Sequence, residues 1–235
     1  DVAKNYIIYR YEHAKDREEK KREVLEKLEE NSLFVIKRSG QKERFLPDKL
    51  RKTLSWAMHG YEHDIDVERV INQVRMEIYE DMKTEDISRA LIMALRSLIE
   101  RDPAYSVVAA RLLLSRIYKE VIGPEVIDFA RINEQHGAVF ESCLRKAVSI
   151  QRLDPRMLEC NLPELASTMV LERDNKFMYL GLQTLVDRYL LRDPQTKQLL
   201  ETPQMFWMRI AMGTALNEQD RVYWTGQFYR IMSEF

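Results

Sequence analysis

One β-hairpin followed by nothing but helical spacing is the feature that most limits how this chain can fold. The run Leu33-Phe34-Val35-Ile36-Lys37-Arg38 meets a Ser39-Gly40 turn and resumes over 41–45. No other segment carries a convincing hairpin pattern. After it, apolar residues recur at three- and four-residue steps. Pro47-Asp48 opens a helix carrying Leu50, Leu54, Trp56, Ala57 and Met58, and Gly60 ends it. A second helix starts near Asp66 with Val67, Val70, Ile71, Val74 and Ile78 on one stripe. A third starts at Lys83-Thr84, where Thr84 or Asp86 is expected to cap the free amides ahead of Ile87, Ala90, Leu91, Ala94 and Leu98. Asp102-Pro103 stops it, and a fourth helix runs through Val107, Ala110, Leu113, Leu114 and Ile117 to the break at Ile122-Gly123-Pro124. The expected unit is a two-stranded ribbon on about four helices, and the fold class is mainly α.

The flanks are helical too. Val2, Tyr6, Ile7 and Tyr9 form a stripe with no preceding cap, as though the chain were cut from something longer. Residues 12–30 are mixed charges with only Val24, Leu25 and Leu28 apolar, which reads as a solvated connecting helix or tether with i,i+4 ion pairs. Acids and bases alternate there, so it is not a nucleic-acid patch. Beyond the break, Val126, Ile127, Phe129 and Ala130, then Val139, Phe140, Leu144 and Val148, are amphipathic-helical core positions. Thr202-Pro203 starts a helix whose Met205, Phe206, Trp207, Met208, Ile210 and Met212 read as core, as do Trp224, Phe228 and Tyr229. His136 stands apart from any metal-ligand spacing and reads as a surface or packing residue.

Composition narrows the chemistry. At 235 residues, 45% hydrophobic and 32% charged, the chain suits one large soluble domain or two small ones. A net charge of -1 gives no global attraction to nucleic acid, so any anion site is a local arrangement. Cys143 and Cys160 make neither a disulfide framework nor a zinc site, and are expected to be buried thiols in a reducing, cytoplasmic setting. No run of membrane length and no leader is visible. If Lys37 and Arg38 lie adjacent on a strand, they face opposite ways, so one of them, with Lys49 and Lys119 from other elements, is the set that could meet a triphosphate. Thr84 adds a hydroxyl and free amides at a helix start. On spacing alone these are ordinary surface lysines and a cap.

A resemblance sharpens this. VIKRSGQKERFLPDKLRKTL at 35–54 resembles the opening of an ATP-cone, and KTEDI at 83–87 and AARLLLSRIYKE at 109–120 are similar to its third and fourth helices. FMYLGLQTLVDRYLLRD at 177–193 and ETPQMFWMRIAMGTALNE at 201–218 resemble the helical segment that precedes the catalytic barrel in class I ribonucleotide reductase large subunits. VAKNYIIYRYEHAKDREEKKR at 2–22 resembles the last helix of another cone, so that 33–122 would be the last of tandem cones. The implied organisation is 1–22 from a preceding cone, 23–32 a linker, 33–122 the cone (a small hairpin capping a four-helix bundle) and 123–235 a helical domain without the barrel.

The resemblance further implies ATP or dATP as an allosteric effector with Mg2+. Val35 would lie beside the base, Lys37 and Arg38 at the phosphates, Glu43 facing the nucleoside, and Lys49, Thr84 and Lys119 completing the cradle. Leu46 stands where cones often have Asn, and Ser88 where they often have His, departures that would blur nucleotide choice or weaken affinity. The implied partners are the radical-generating small subunit and further copies of the large subunit, and the full enzyme would reduce ribonucleoside diphosphates with cysteines absent here. The alternatives are a degenerate cone serving as a structural module, and a nucleotide-sensing transcriptional regulator. The latter would need a zinc ribbon that two cysteines do not supply.

Overall fold

The computed structural model describes residues 2–30, 32–123 and 129–234. It divides into two compact units, 1–109 and 110–235, with the division falling inside one continuous helix.

The first unit opens with α1 (Val2–Glu29). The helix runs unbroken through residue 22, where the sequence reading placed a boundary. The cause is local: residues 2–30 contain neither Gly nor Pro, and Arg22 pairs with Glu26 one turn on. Val2, Tyr6, Ile7 and Tyr9 are exposed, whereas Leu28 is buried. Next come β1 (Phe34–Ile36) and β2 (Lys42–Arg44), antiparallel, with Val35 opposite Glu43. The chain reverses over 37–40, where the Gly40 amide donates to the Lys37 carbonyl at 2.9 Å. Gly40 has φ +81°, the left-handed conformation that this type of hairpin loop places on glycine.

Two expectations are corrected here. The sheet has a third strand, β3 (Met82–Lys83), parallel to β1 and missed because two residues carry no periodicity. β1 ends at Ile36, so Lys37 and Arg38 belong to the turn and strand alternation does not apply to them.

Three helices lie against this sheet's unit: α2 (Pro47–Ala57), α3 (Val67–Arg75) and α4 (Thr84–Arg96). Pro47 at the first position starts α2, and the Asp66 carboxylate caps α3 by accepting from the Arg69 amide at 3.0 Å. α4 has no side-chain cap. Lys83 occupies the capping position because β3 leads straight into the helix, so the expected Thr84 or Asp86 cap is not made, and Asp86 instead pairs with Arg89. α3 packs on both α2 and α4, and Leu33, Val35, Leu54, Val70, Ile71, Val74, Leu91 and Leu95 form the interior. Trp56 is not core: it is 46% exposed, on the opposite face of α2 from Leu50, Leu54 and Ala57.

α5 (Ala104–Val121) begins after Asp102, whose carboxylate accepts from the Ala104 amide at 2.7 Å, and carries the chain into the second unit. There follow α6 (Phe129–Ser149), α7 (Leu162–Ser167), α8 (Tyr179–Arg188), α9 (Pro203–Thr214) and α10 (Arg221–Ser233), with 3-10 turns at Pro155–Glu159 and Leu171–Lys176. Thr202 caps α9, as its position before Pro203 predicts. α9 packs along α10, and Phe140, Leu144, Met157, Leu165, Met205, Met208, Met212 and Tyr229 make the core. Val126 and Ile127 lie outside the described residues, as do the side chains of Leu25, Phe129 and Ala130. His136 is buried. Trp224 is exposed rather than core, and Cys143 and Cys160 are half-buried rather than buried.

Candidate functional site

The hairpin's charged edge gathers three of the side chains that the sequence singled out, Lys37, Glu43 and Lys49. Glu43 stands opposite Val35, which is 2% exposed and packs inward. The Glu43 carboxylate oxygen Oε2 meets Lys37 Nζ at 2.7 Å and Lys49 Nζ at 2.9 Å. Hydrogen bonds first from Lys37 and then from Lys49 hold this carboxyl below the usual carboxylate range. Two ammonium groups from different elements, the turn after β1 and the first turn of α2, thus converge on one anionic point.

Arg38 points elsewhere, with Nε 2.6 Å from Glu85 Oε1 in the first turn of α4. β1 and β3 are paired with Ile36 beside Lys83, which sets the start of α4 next to the end of β1. Thr84 is the first helical residue there, and the amides of this turn have no side-chain acceptor at the capping position. Ser88 is exposed and its hydroxyl donates to the Thr84 carbonyl at 3.0 Å. Leu46 occupies the capping position of α2 and is 43% exposed, offering no polar group. Lys119 stands on the last turn of α5, in the second unit. The structure therefore brings together Lys37, Glu43 and Lys49, and separately Arg38 with the start of α4 beside Thr84 and Ser88.

Three charged partners in this region were not foreseen. Glu85 holds Arg38. Asp81, at φ +61°, holds Lys42 at 2.7 Å, and Glu80 accepts from the Phe34 amide at 3.2 Å and from Lys27 at 3.0 Å. Spacing gave no sign of them, because the pairing of β1 with β3 joins residues some 46 positions apart in sequence. Among the described residues, no group of three or more His, Cys, Asp or Glu side chains could hold a metal ion, and no helix is long and apolar enough to cross a membrane.

A three-stranded mixed sheet with a basic hairpin edge, backed by short helices and continued by an all-helical unit, defines an ATP-cone joined to a helical domain. The ATP cone domain family matches residues 33–120, and the family described as the ribonucleotide reductase all-alpha domain matches residues 175–235. The ribonucleoside-diphosphate reductase subunit alpha of Chlamydia pneumoniae is 35% identical over the whole chain, which spans 22% of that relative. The same subunit of Enterobacteria phage T4 is 32% identical over 85% of the chain, spanning 26% of the relative, and the ribonucleoside-diphosphate reductase 1 subunit alpha of Escherichia coli (strain K12) is 28% identical over 87% of the chain, spanning 26% of that relative. The chain belongs to the ribonucleotide reductase large-subunit family and corresponds to its amino-terminal, cone-bearing region. It spans about a quarter of the length of the curated relatives it matches.

Proposed function

We propose that the hairpin edge of the cone binds ATP or dATP as an allosteric effector that controls the activity and assembly of a ribonucleoside-diphosphate reductase. The observation that carries this is the convergence of Lys37 and Lys49 on Glu43 Oε2, at 2.7 and 2.9 Å. One carboxylate oxygen held by two ammonium groups marks where a phosphate oxygen would sit, because both anions satisfy the same donors. Arg38 and the uncapped start of α4, with Thr84, supply further donors. By resemblance Val35 lies at the base, Glu43 turns to the nucleoside once phosphate replaces it, and Lys119 joins the phosphates. Mg2+ enters with the nucleotide.

Residues 33–122 are the sensing module, 123–235 the helical domain that receives its state, and 1–22 the end of a preceding cone joined through 23–32. The Chlamydia pneumoniae relative, which matches the whole of this chain, is a longer polypeptide than the phage T4 one and so has room for a further domain. The whole enzyme acts in the cytoplasm on ribonucleoside diphosphates, with a radical-generating small subunit and further large subunits as partners. It supplies deoxyribonucleotides for DNA synthesis.

Titration calorimetry of the intact large subunit with ATP and dATP plus magnesium tests the reading. Saturable heat is the expected result, with the part due to this cone lost in Lys37→Ala with Lys119→Ala. A second reading is favoured by Leu46 and Ser88, whose positions offer no base-reading amide and no extra cation. On it the cone is a structural or subunit-contact module, and the double change leaves the titration unaltered.

A further inference from the structure

The last turn of α5 is tied into the interior of the helical unit by side chains that nucleotide binding does not use. Tyr118 is buried, and its hydroxyl donates to Asp174 Oδ2 at 2.6 Å. Asp174, only 2% exposed within the turn Leu171–Lys176, receives a second hydrogen bond from Gln204 Nε2 on α9, also at 2.6 Å. The Gln204 carbonyl oxygen accepts from the Tyr229 hydroxyl of α10 at 2.5 Å, and that hydroxyl accepts from the Val170 amide at 2.8 Å. With Asp174 ionised, the direction of every bond is fixed by the next, since Gln204 must show its N–H to the carboxylate and its C=O to Tyr229. Two residues beyond Tyr118, Glu120 accepts from the Leu199 amide at 2.9 Å.

Apolar packing alone would seat a helix end. A buried carboxylate is an expensive way to do it, and what it gives instead is one discrete arrangement in place of a surface that can slide. Tyr118 lies within the ATP cone match, while Gln204 and Tyr229 lie within the all-alpha domain match. Lys119, which the reading above places at the phosphates, is the next residue after Tyr118 on the same turn.

We propose that the chain Tyr118–Asp174–Gln204–Tyr229 is the linkage that passes nucleotide occupancy of the cone to the reductase's helical domain, with Asp174 as its positioning residue. This rests on the cone binding a nucleotide. A ligand that shifts the last turn of α5 changes the Tyr118 bond, and Asp174 transmits the change to α9 and α10 because its two acceptor oxygens serve opposite neighbours.

The test is hydrogen exchange of the amides in 170–176 and 225–233 of the intact large subunit, with and without ATP and magnesium. Wild type is compared with Tyr118→Phe, which removes one donor and keeps the ring, and with Asp174→Asn, which puts a donor in place of one of the two acceptor oxygens. ATP is expected to alter exchange at these amides in wild type. In both variants ATP still binds within about threefold of wild-type affinity, and the ATP-dependent change is lost. A purely structural role would raise exchange equally with and without ATP and would leave that difference intact, which overturns the linkage. A wild type that binds ATP without any change at these amides overturns it as well. A wild type that binds no ATP overturns the cone reading and the linkage with it. If Asp174→Asn does not fold, Tyr118→Phe decides alone.

Discussion

Glu43 pairs with two lysines through one oxygen, which sets its opposing effects on stability and on binding. Both lysines are roughly half exposed, so the pairs add little to folding, well under about 1 kcal/mol each. For an incoming polyphosphate the same carboxylate is a competitor. Glu43→Ala is expected to leave the melting temperature nearly unchanged and to tighten binding of inorganic tripolyphosphate by about threefold to tenfold, since roughly 1 kcal/mol of local repulsion is removed. ATP gains less, because the nucleoside loses a partner. Calorimetry with the two ligands side by side checks this, and equal tightening would show that Glu43 has no nucleoside role.

Two buried titratable groups pull the pH dependence in opposite directions. Burial pushes His136 down from 6.5 to about 4, and burial pushes Asp174 up from 3.8 to about 7 against the hydrogen bonds from Tyr118 and Gln204. Between pH 4 and 6.5 the unfolded chain protonates at His136 and the native state does not, so stability rises with pH. Over the same range native Asp174 holds a proton that the unfolded chain has released, so stability falls with pH. The two slopes offset in wild type. Asp174→Asn leaves the histidine alone, and stability is expected to climb from pH 4.5 to 6.5 by up to about 1.4 kcal/mol per pH unit. Urea denaturation at several pH values measures it, and a flat profile in the variant would remove His136 from the account.

At the scale of elements, the helix starts separate structure from function. Asp66→Ala deletes the bond to the Arg69 amide and is expected to cost about 1 kcal/mol in urea unfolding. Thr84→Ala deletes no cap, since the capping position of α4 is Lys83, and is expected to change stability by only a few tenths of a kcal/mol, in the stabilising direction that the higher helix propensity of Ala gives, while weakening nucleotide binding if the proposed site holds. A stability loss as large as that of Asp66→Ala would place Thr84 in the fold rather than the site. The same contrast explains what was legible in the sequence. Starts marked by Pro47, Asp66 and Thr202 were readable because the signal is local, and so was the turn that needs Gly40 at positive φ. β3 was not, nor was Glu85 beside Arg38, because both arise from a parallel pairing across two helices. Asp174 was hidden for a similar reason: in the run Leu171–Lys176 it reads as one charge among several, and only the folded chain buries it.

For the whole molecule, charge nearly cancels, both overall and around the hairpin, where four cations meet three carboxylates. The chain carries a net charge of -1, and around the hairpin Lys37, Arg38, Lys42 and Lys49 face Glu43, Glu85 and Asp81. Beyond about 10 Å at ordinary salt little field remains to draw in an anion. On the proposed reading, a nucleotide would therefore arrive without steering and be held only after the carboxylates exchange their lysines for phosphate. Raising ionic strength from about 0.05 to 0.5 M should thus weaken ATP binding by speeding dissociation, with the association rate changing less than about twofold. Stopped-flow measurement with a fluorescent ATP analogue separates the two rates. If association slows tenfold while dissociation stays constant, the cations act at long range, and the local exchange at Glu43 is not what holds the ligand.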